Sequence, residues 1–254
     1  MTAGTDGGMI ELARDERWIA VFKPSGVLVH RGWARDGVIA TDVVRRWLDG
    51  PAFPVHRLDR ATSGVLLFAR DKDAARSLQQ AFQACTVRKG YLALVRGQPA
   101  AEFRCDYALR RGRSQRATAQ ERVPALTRFS RLWTGDGPLH CYSLVAARPE
   151  TGRMHQIRRH LKHLSHPIIG DVKYGKGRQN RWFRAEMGLH RLALHACRLA
   201  FPDPDSEQSV VVYAPVPDDL GAPLVKFGVP PELLAKICAD HSVWDAGRDI
   251  NDVP

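Results

Sequence analysis

The chain contains no apolar run long enough to cross a bilayer as a helix, and no basic-then-apolar signal pattern at its N-terminus. A protein that stays in the cytoplasm, away from membranes, is therefore expected. Cysteine is scarce and odd in number: Cys85, Cys105, Cys141, Cys197 and Cys238, with no Cys-x-x-Cys pair. This excludes a disulfide framework and a paired-cysteine zinc site. Most of the five lie in apolar or alternating stretches, where reduced core thiols are expected. There is no internal repeat, no low-complexity block, and no nucleotide- or metal-binding motif. Acidic residues are also short, with 27 Asp and Glu against 38 Lys and Arg in 254 residues, a formal net charge of +11.

Such an excess favours polyanions, of which nucleic acid is the commonest a soluble protein meets. The charge is segregated along the chain. Residues 152–198 hold eleven Lys or Arg against Asp171 and Glu186, whereas residues 202–254 hold ten acidic residues against Lys226, Lys236 and Arg248. The middle of the chain should present a basic face. A hydrophobic content of 44% and a charged content of 26% are ordinary for a globular enzyme.

Periodicity outlines the elements. Residues 1–9 read as a tail, 10–240 as one catalytic domain and 241–254 as a second, frayed tail. Arg17 to Phe22 is strand-like and ends at the turn Lys23-Pro24-Ser25-Gly26. Val38 to Leu48 has helical spacing. Asp71 is a good N-cap for a helix from Lys72 to Ala84, where Ala75, Leu78 and Phe82 form one stripe. Tyr91 to Val95 reads as a strand closed by Gly97, residues 110–122 as an exposed loop or hairpin, and 139–147 as a strand. A helix opening at Thr151 or Gly152 would align Met154, Ile157, Leu161 and Leu164. Leu192 to Leu199 suits a central strand, and after Pro215 the chain is Pro-rich with a short amphipathic piece near Leu233. Strands and helices interleave without a regular βαβ period, which favours an α+β fold.

Three constellations carry chemistry. In residues 55–71, the polar cluster His56, Arg57, Asp59 and Arg60 leads through Thr62-Ser63-Gly64 into the apolar strand Val65 to Ala69. A carboxylate among cations stays ionised. Asp59 is thus a candidate nucleophile or electrostatic anchor, and equally a structural ion-pair knot. Arg88-Lys89-Gly90-Tyr91 opens a strand whose tyrosine can stack on a base and move a proton, or simply pack in the core. In Gly152-Arg153-Met154-His155-Gln156-Ile157-Arg158, Arg158 falls on the flank of the apolar stripe, within reach of a cleft. Arg159 and Lys162 suit phosphate contact. His155, His160, His163 and His166 cluster ahead of Asp171, but no His-Glu-x-x-His pattern or cysteine ligand completes a zinc site. No metal is expected.

His56-Arg57-Leu58-Asp59-Arg60 with Thr62-Ser63-Gly64 resembles the signature of the RluA-type pseudouridine synthases. Lys89-Gly90-Tyr91, Gly152 to Arg158, and Arg191-Leu192-Ala193-Leu194-His195-Ala196 follow in that family's order. The resemblance implies a mixed, mainly antiparallel sheet with flanking helices and a central active-site cleft. It further implies an isomerase that needs no cofactor. Asp59 would be the catalytic carboxylate, Tyr91 the active-site tyrosine and Arg158 the ion-pair partner of Asp59. Leu194 would pack beneath the target base and Arg57 fill the space that the flipped uridine vacates, with His56 beside it on the RNA. Ala61 and Met154 depart from the usual string at positions that carry no chemistry.

Residues 23–31, 159–171 and 177–181 resemble a tRNA-modifying branch of the family. Too few residues precede the first strand for a separate N-terminal RNA-binding module. A compact RNA is therefore the expected partner, namely tRNA at a T-stem uridine, with the protein acting as a monomer. Large-subunit ribosomal RNA is the alternative substrate. A non-catalytic basic RNA-binding protein would account for the charge, but not for the set Asp59, Tyr91 and Arg158; a histidine-rich zinc hydrolase lacks its ligands.

Overall fold

The computed structural model describes residues 6–31, 37–110, 121–240 and 242–245. In chain order, β1 (Ile10–Arg14) and β2 (Trp18–Lys23) precede α1 (Ala40–Leu48). The short β3 (Phe53–Pro54) and β4 (Ser63–Ala69) lead to α2 (Lys72–Gln83) and β5 (Arg88–Arg96). Next come β6 (Glu102–Cys105), β7 (Leu109–Arg110), β8 (Arg122–Val123), β9 (Thr127–Gly137) and β10 (His140–Pro149). Helices α3 (Gln156–His163) and α4 (Gly177–Trp182), with a π-turn over Phe183–Met187, precede β11 (Leu194–Pro202) and β12 (Ser209–Tyr213). Three short helices close the chain: α5 (Asp218–Lys226), α6 (Pro231–Ile237) and α7 (Ser242–Asp245). The class is α+β, as expected, and the chain forms two compact units.

The first unit comprises Met1–Lys89 and His195–Pro217. Its strands β1, β2 and β4 pair antiparallel in that order, and β12 pairs antiparallel with β11. Between β4 and β11 the pairing is parallel, with His195 opposite Ser63 and Ala196 opposite Gly64. Every residue of β2 and β4 is buried. That is why β4 reads as an unbroken apolar run rather than an alternation. One face packs Trp18, Phe22, Val65 and Leu67 against Leu78 of α2 and Phe201 of β11. Helix α2 starts where its cap chemistry demands, because the Asp71 carboxylate accepts the N–H groups of Asp73 and Ala74. Residues 6–9, expected in the tail, are ordered: the Asp6 carboxylate accepts from Arg46 and from the Trp47 indole, and Met9 is buried.

The second unit comprises Gly90–Leu194 and Asp218–Pro254. Here β5, β10, β9 and β6 pair antiparallel in sequence, and β7 pairs with β8. The stretch expected as a loop or hairpin thus has a two-stranded stem, while residues 111–120 lie outside the described set. Helix α3 begins at Gln156, later than expected, because His155 occupies the left-handed region (φ 52°). Met154 consequently sits outside the helix and is exposed, and the stripe reduces to Ile157, Leu161 and the half-buried Leu164. Helix α5 was not apparent in the sequence, since Pro223 lies inside it and removes one ladder hydrogen bond. Burial of Leu220 and Leu224 offsets that loss. Residues 242–245, expected to fray, form α7, whose Trp244 is buried and donates its indole N–H to the Ile237 carbonyl at 2.9 Å. Its ring covers Gly90, where an added Cβ would lie 2.6 Å from Trp244.

Candidate active site

Asp59 lies half-buried in the loop that enters β4, between exposed Arg57 and Arg60. Its carbonyl accepts the Thr62 N–H at 3.0 Å, closing a turn. The Lys23-Pro24-Ser25-Gly26 turn grips this loop from the side. Gly26 N–H donates to the Arg60 carbonyl at 2.8 Å, and Arg60 Nε donates back to the Gly26 carbonyl at 3.0 Å. Ser25 Oγ donates to the Ala61 carbonyl at 2.9 Å. Lys23 is wholly buried, with its ammonium donating to the carbonyls of Pro24, Val27 and Arg60. Part of the Arg60 guanidinium therefore serves the turn. Beyond the loop, Ser63 Oγ and His195 Nδ1 are 2.7 Å apart in the buried β4–β11 ladder.

His56 faces inward. Its Nε2 accepts the Leu67 N–H at 3.0 Å, and its ring stacks on Phe82 with centroids 4.8 Å apart. Burial, helped by the Lys89 ammonium, pushes its pKa down to about 3, so the ring is neutral and suited to accepting. Burial likewise lowers Lys89, against the raising influence of Cys85.

The other candidates lie in the second unit. Tyr91 stands half-buried near the start of β5, opposite Ala147 of β10. Leu194 is buried at the start of β11, and Arg191 Nη2 donates to its carbonyl at 3.3 Å. Helix α3 carries Arg158, Arg159 and Lys162 together. Arg158 is buried rather than solvated, and grips Asp171: Nε donates to Oδ2 at 2.7 Å and Nη2 to Oδ1 at 3.0 Å. Burial alone would raise the Asp171 pKa. The Arg158 guanidinium and the N–H groups of Tyr174 and Lys173 outweigh it and hold the carboxyl below its usual range. Arg159 donates to the carbonyls of Arg110 and Met154, and Lys162 is exposed.

Gln156 locks α3 in place, donating to the Leu126 carbonyl and Thr127 Oγ1 while accepting from Thr151 and the Arg153 N–H. The four clustered histidines have separate occupations. His160 bridges Thr127 Oγ1 and the Tyr107 carbonyl, and His163 stacks on Tyr107 with centroids 3.8 Å apart. His166 meets the Arg96 carbonyl and His155 the Tyr174 hydroxyl. Among the described residues, no three His, Cys, Asp or Glu side chains group as a metal site. None of the five cysteines forms a disulfide; Cys105 and Cys197 are buried and Cys85 is exposed. Asp171 as the partner of Arg158 is not expected from the sequence, where it stands only as a possible metal ligand beside the histidines.

A family model described as RNA pseudouridylate synthase matches residues 17–163. A tRNA pseudouridine synthase C of Haemophilus ducreyi is 42% identical over 216 residues, covering 80% of this chain and 89% of the relative. Another, from Salmonella typhimurium, is 40% identical over 235 residues, covering 87% and 90%. Among solved structures, human RNA Pseudouridylate Synthase Domain Containing 1 aligns with a TM-score of 0.69 at 30% identity, covering 88% of this chain and 90% of that one. Human RNA Pseudouridylate Synthase Domain Containing 4 aligns with a TM-score of 0.69 at 25% identity, covering 85% and 92%.

Proposed function

The chain belongs to the RNA pseudouridylate synthase family and is an isomerase, and from that premise we propose that its substrate is tRNA and its target a T-stem uridine near the acceptor-stem junction. The reaction breaks the N–C bond between uracil and ribose, turns the base, and rejoins it through carbon. The observation that carries the reading is that one family match spans Asp59, Tyr91 and Arg158 together. Relatives named for tRNA, matched along most of their length, support the substrate.

In this reading residues 10–240 act as the catalytic region, in the cytoplasm and as a monomer. Asp59 is the carboxylate nucleophile, set on a loop that the Lys23 turn stiffens. Arg158 keeps that carboxylate ionised and oriented through a charge-assisted pair, an assignment carried by the motif correspondence. Tyr91 stacks on the uracil and manages a proton, and Leu194 supports the base from below. The target uridine must leave its stack, at a cost of a few kcal/mol that pocket contacts offset. Exposed Arg57 fills the vacated space, and Arg159 and Lys162 meet phosphates. His56 sits beside Arg57 at the RNA, with Nε2 anchored by the Leu67 N–H and one ring face by Phe82.

The test uses purified protein with unmodified tRNA and with large-subunit ribosomal RNA, mapping pseudouridine by carbodiimide-blocked primer extension. Wild type should modify one T-stem uridine of tRNA. Asp59→Asn should yield no product while binding tRNA nearly as well. Product from the mutant overturns the role of Asp59, and modification of ribosomal RNA alone overturns the substrate.

A further inference from the structure

We infer that Asp171 is a positioning residue for the isomerisation, setting the plane and direction of the Arg158 guanidinium; this rests on Arg158 belonging to the catalytic set. A guanidinium is a rigid planar fork of five donors. Two parallel hydrogen bonds along its Nε–Nη2 edge leave it neither rotation nor tilt, so Asp171 dictates where the Nη1 edge points.

Asp171 is itself tied into the fold on several sides. Its Oδ1 also accepts the N–H groups of Lys173 and Tyr174, both at 2.9 Å. Its carbonyl accepts from Gly175 N–H and Asn180 Nδ2, each at 3.0 Å, and Asn180 Oδ1 in turn accepts the Gly170 N–H at 2.9 Å. A second surface holds the guanidinium face: the Tyr174 ring centroid lies 5.2 Å from Arg158 Cζ, and the Tyr174 hydroxyl is 3.1 Å from His155 Nδ1. The backbone of Arg158 is fixed as well, through Gln156 and His160 on either side of it in α3. A buried ion pair adds little net stability, since desolvation offsets much of the attraction. Its directional bonds, by contrast, define a geometry to within a fraction of an ångström, which is what orientation of a reacting group demands.

Asp171→Asn separates the two functions of this side chain. The amide oxygen can still accept from Lys173 and Tyr174, but the amide nitrogen then faces Arg158 Nε, donor against donor. The experiment compares wild type, Asp171→Asn and Arg158→Lys on unmodified tRNA by single-turnover rate, tRNA affinity, thermal melting and the 1H–15N signal of Arg158 Nε. Asp171→Asn should melt at a lower temperature, because the Arg158 charge is left buried without its partner, yet bind tRNA as wild type does, lose about a hundredfold in single-turnover rate, and lose the protected Nε–H signal. A wild-type rate in Asp171→Asn, with Arg158→Lys inactive, overturns the inference and leaves the catalytic reading standing. A wild-type rate in Arg158→Lys overturns that reading instead. Should Asp171→Asn fail to fold, Asp171→Glu keeps the charge but displaces the fork by one methylene. It should turn over about tenfold more slowly at unchanged tRNA affinity, and full activity there also overturns the inference.

Discussion

His56 stands three residues before Asp59 and is held neutral by its surroundings, so acid should attack the fold at this side chain. Its folded pKa, about 3, lies below the unfolded value of 6.5, so the unfolded chain takes up the proton first as pH falls. The stability it contributes is complete above about 6.5 and drains away as pH drops toward about 3. His56→Gln keeps an acceptor for the Leu67 N–H but cannot titrate. Between about pH 7 and about pH 5, urea unfolding should show wild type losing about 1 kcal/mol more than the variant; the half-buried ring keeps the figure this modest. Equal losses would mean that His56 is not held neutral. Candidates were legible at this scale where a motif names them, as with Asp59 and Tyr91. Partners were not, because nothing in the order of residues places Asp171 against Arg158 across thirteen positions of chain.

Elements were legible to the extent that local chemistry decides them. Strand β4 announced itself as a short apolar run, and α2 through the Asp71 cap. Helix α3 starts a few residues later than its apolar spacing implies, because His155 takes the left-handed backbone conformation. Helix α5 was hidden because packing overrides the proline within it. The entrance to β4 yields a sharper expectation. Gly64 has φ +123°, and a Cβ there would sit 2.1 Å from the Ala196 carbonyl oxygen of β11. No side-chain rotation relieves a clash with backbone, so the two strands must part. Gly64→Ala should cost about 4 kcal/mol or more, or prevent folding, as urea denaturation and soluble yield would show. A variant with native stability would mean that β4 and β11 do not meet at this register.

For the whole molecule the governing quantity is charge. The excess of +11 and the cations of residues 152–198 should make tRNA binding an ion-exchange reaction. If six or more phosphates are neutralised, affinity for tRNA should fall by about a thousandfold or more between about 50 and 200 mM salt. Filter binding with Asp59→Asn protein measures this without turnover, and a shallow dependence would shift recognition from phosphates to bases. Composition made this legible in advance, whereas the division of the chain into two compact units did not show in any linker, repeat or compositional break.

Trp244 covers Gly90 across more than half the length of the chain. Synthesis runs from the N-terminus, so the strand that bears Tyr91 is made long before the ring that caps its first turn into the sheet emerges. A nascent chain therefore carries Tyr91 beside an uncovered backbone until Trp244 leaves the ribosome. Completion of this strand waits on the synthesis of Trp244, and a message truncated before its codon yields a protein with that strand still open.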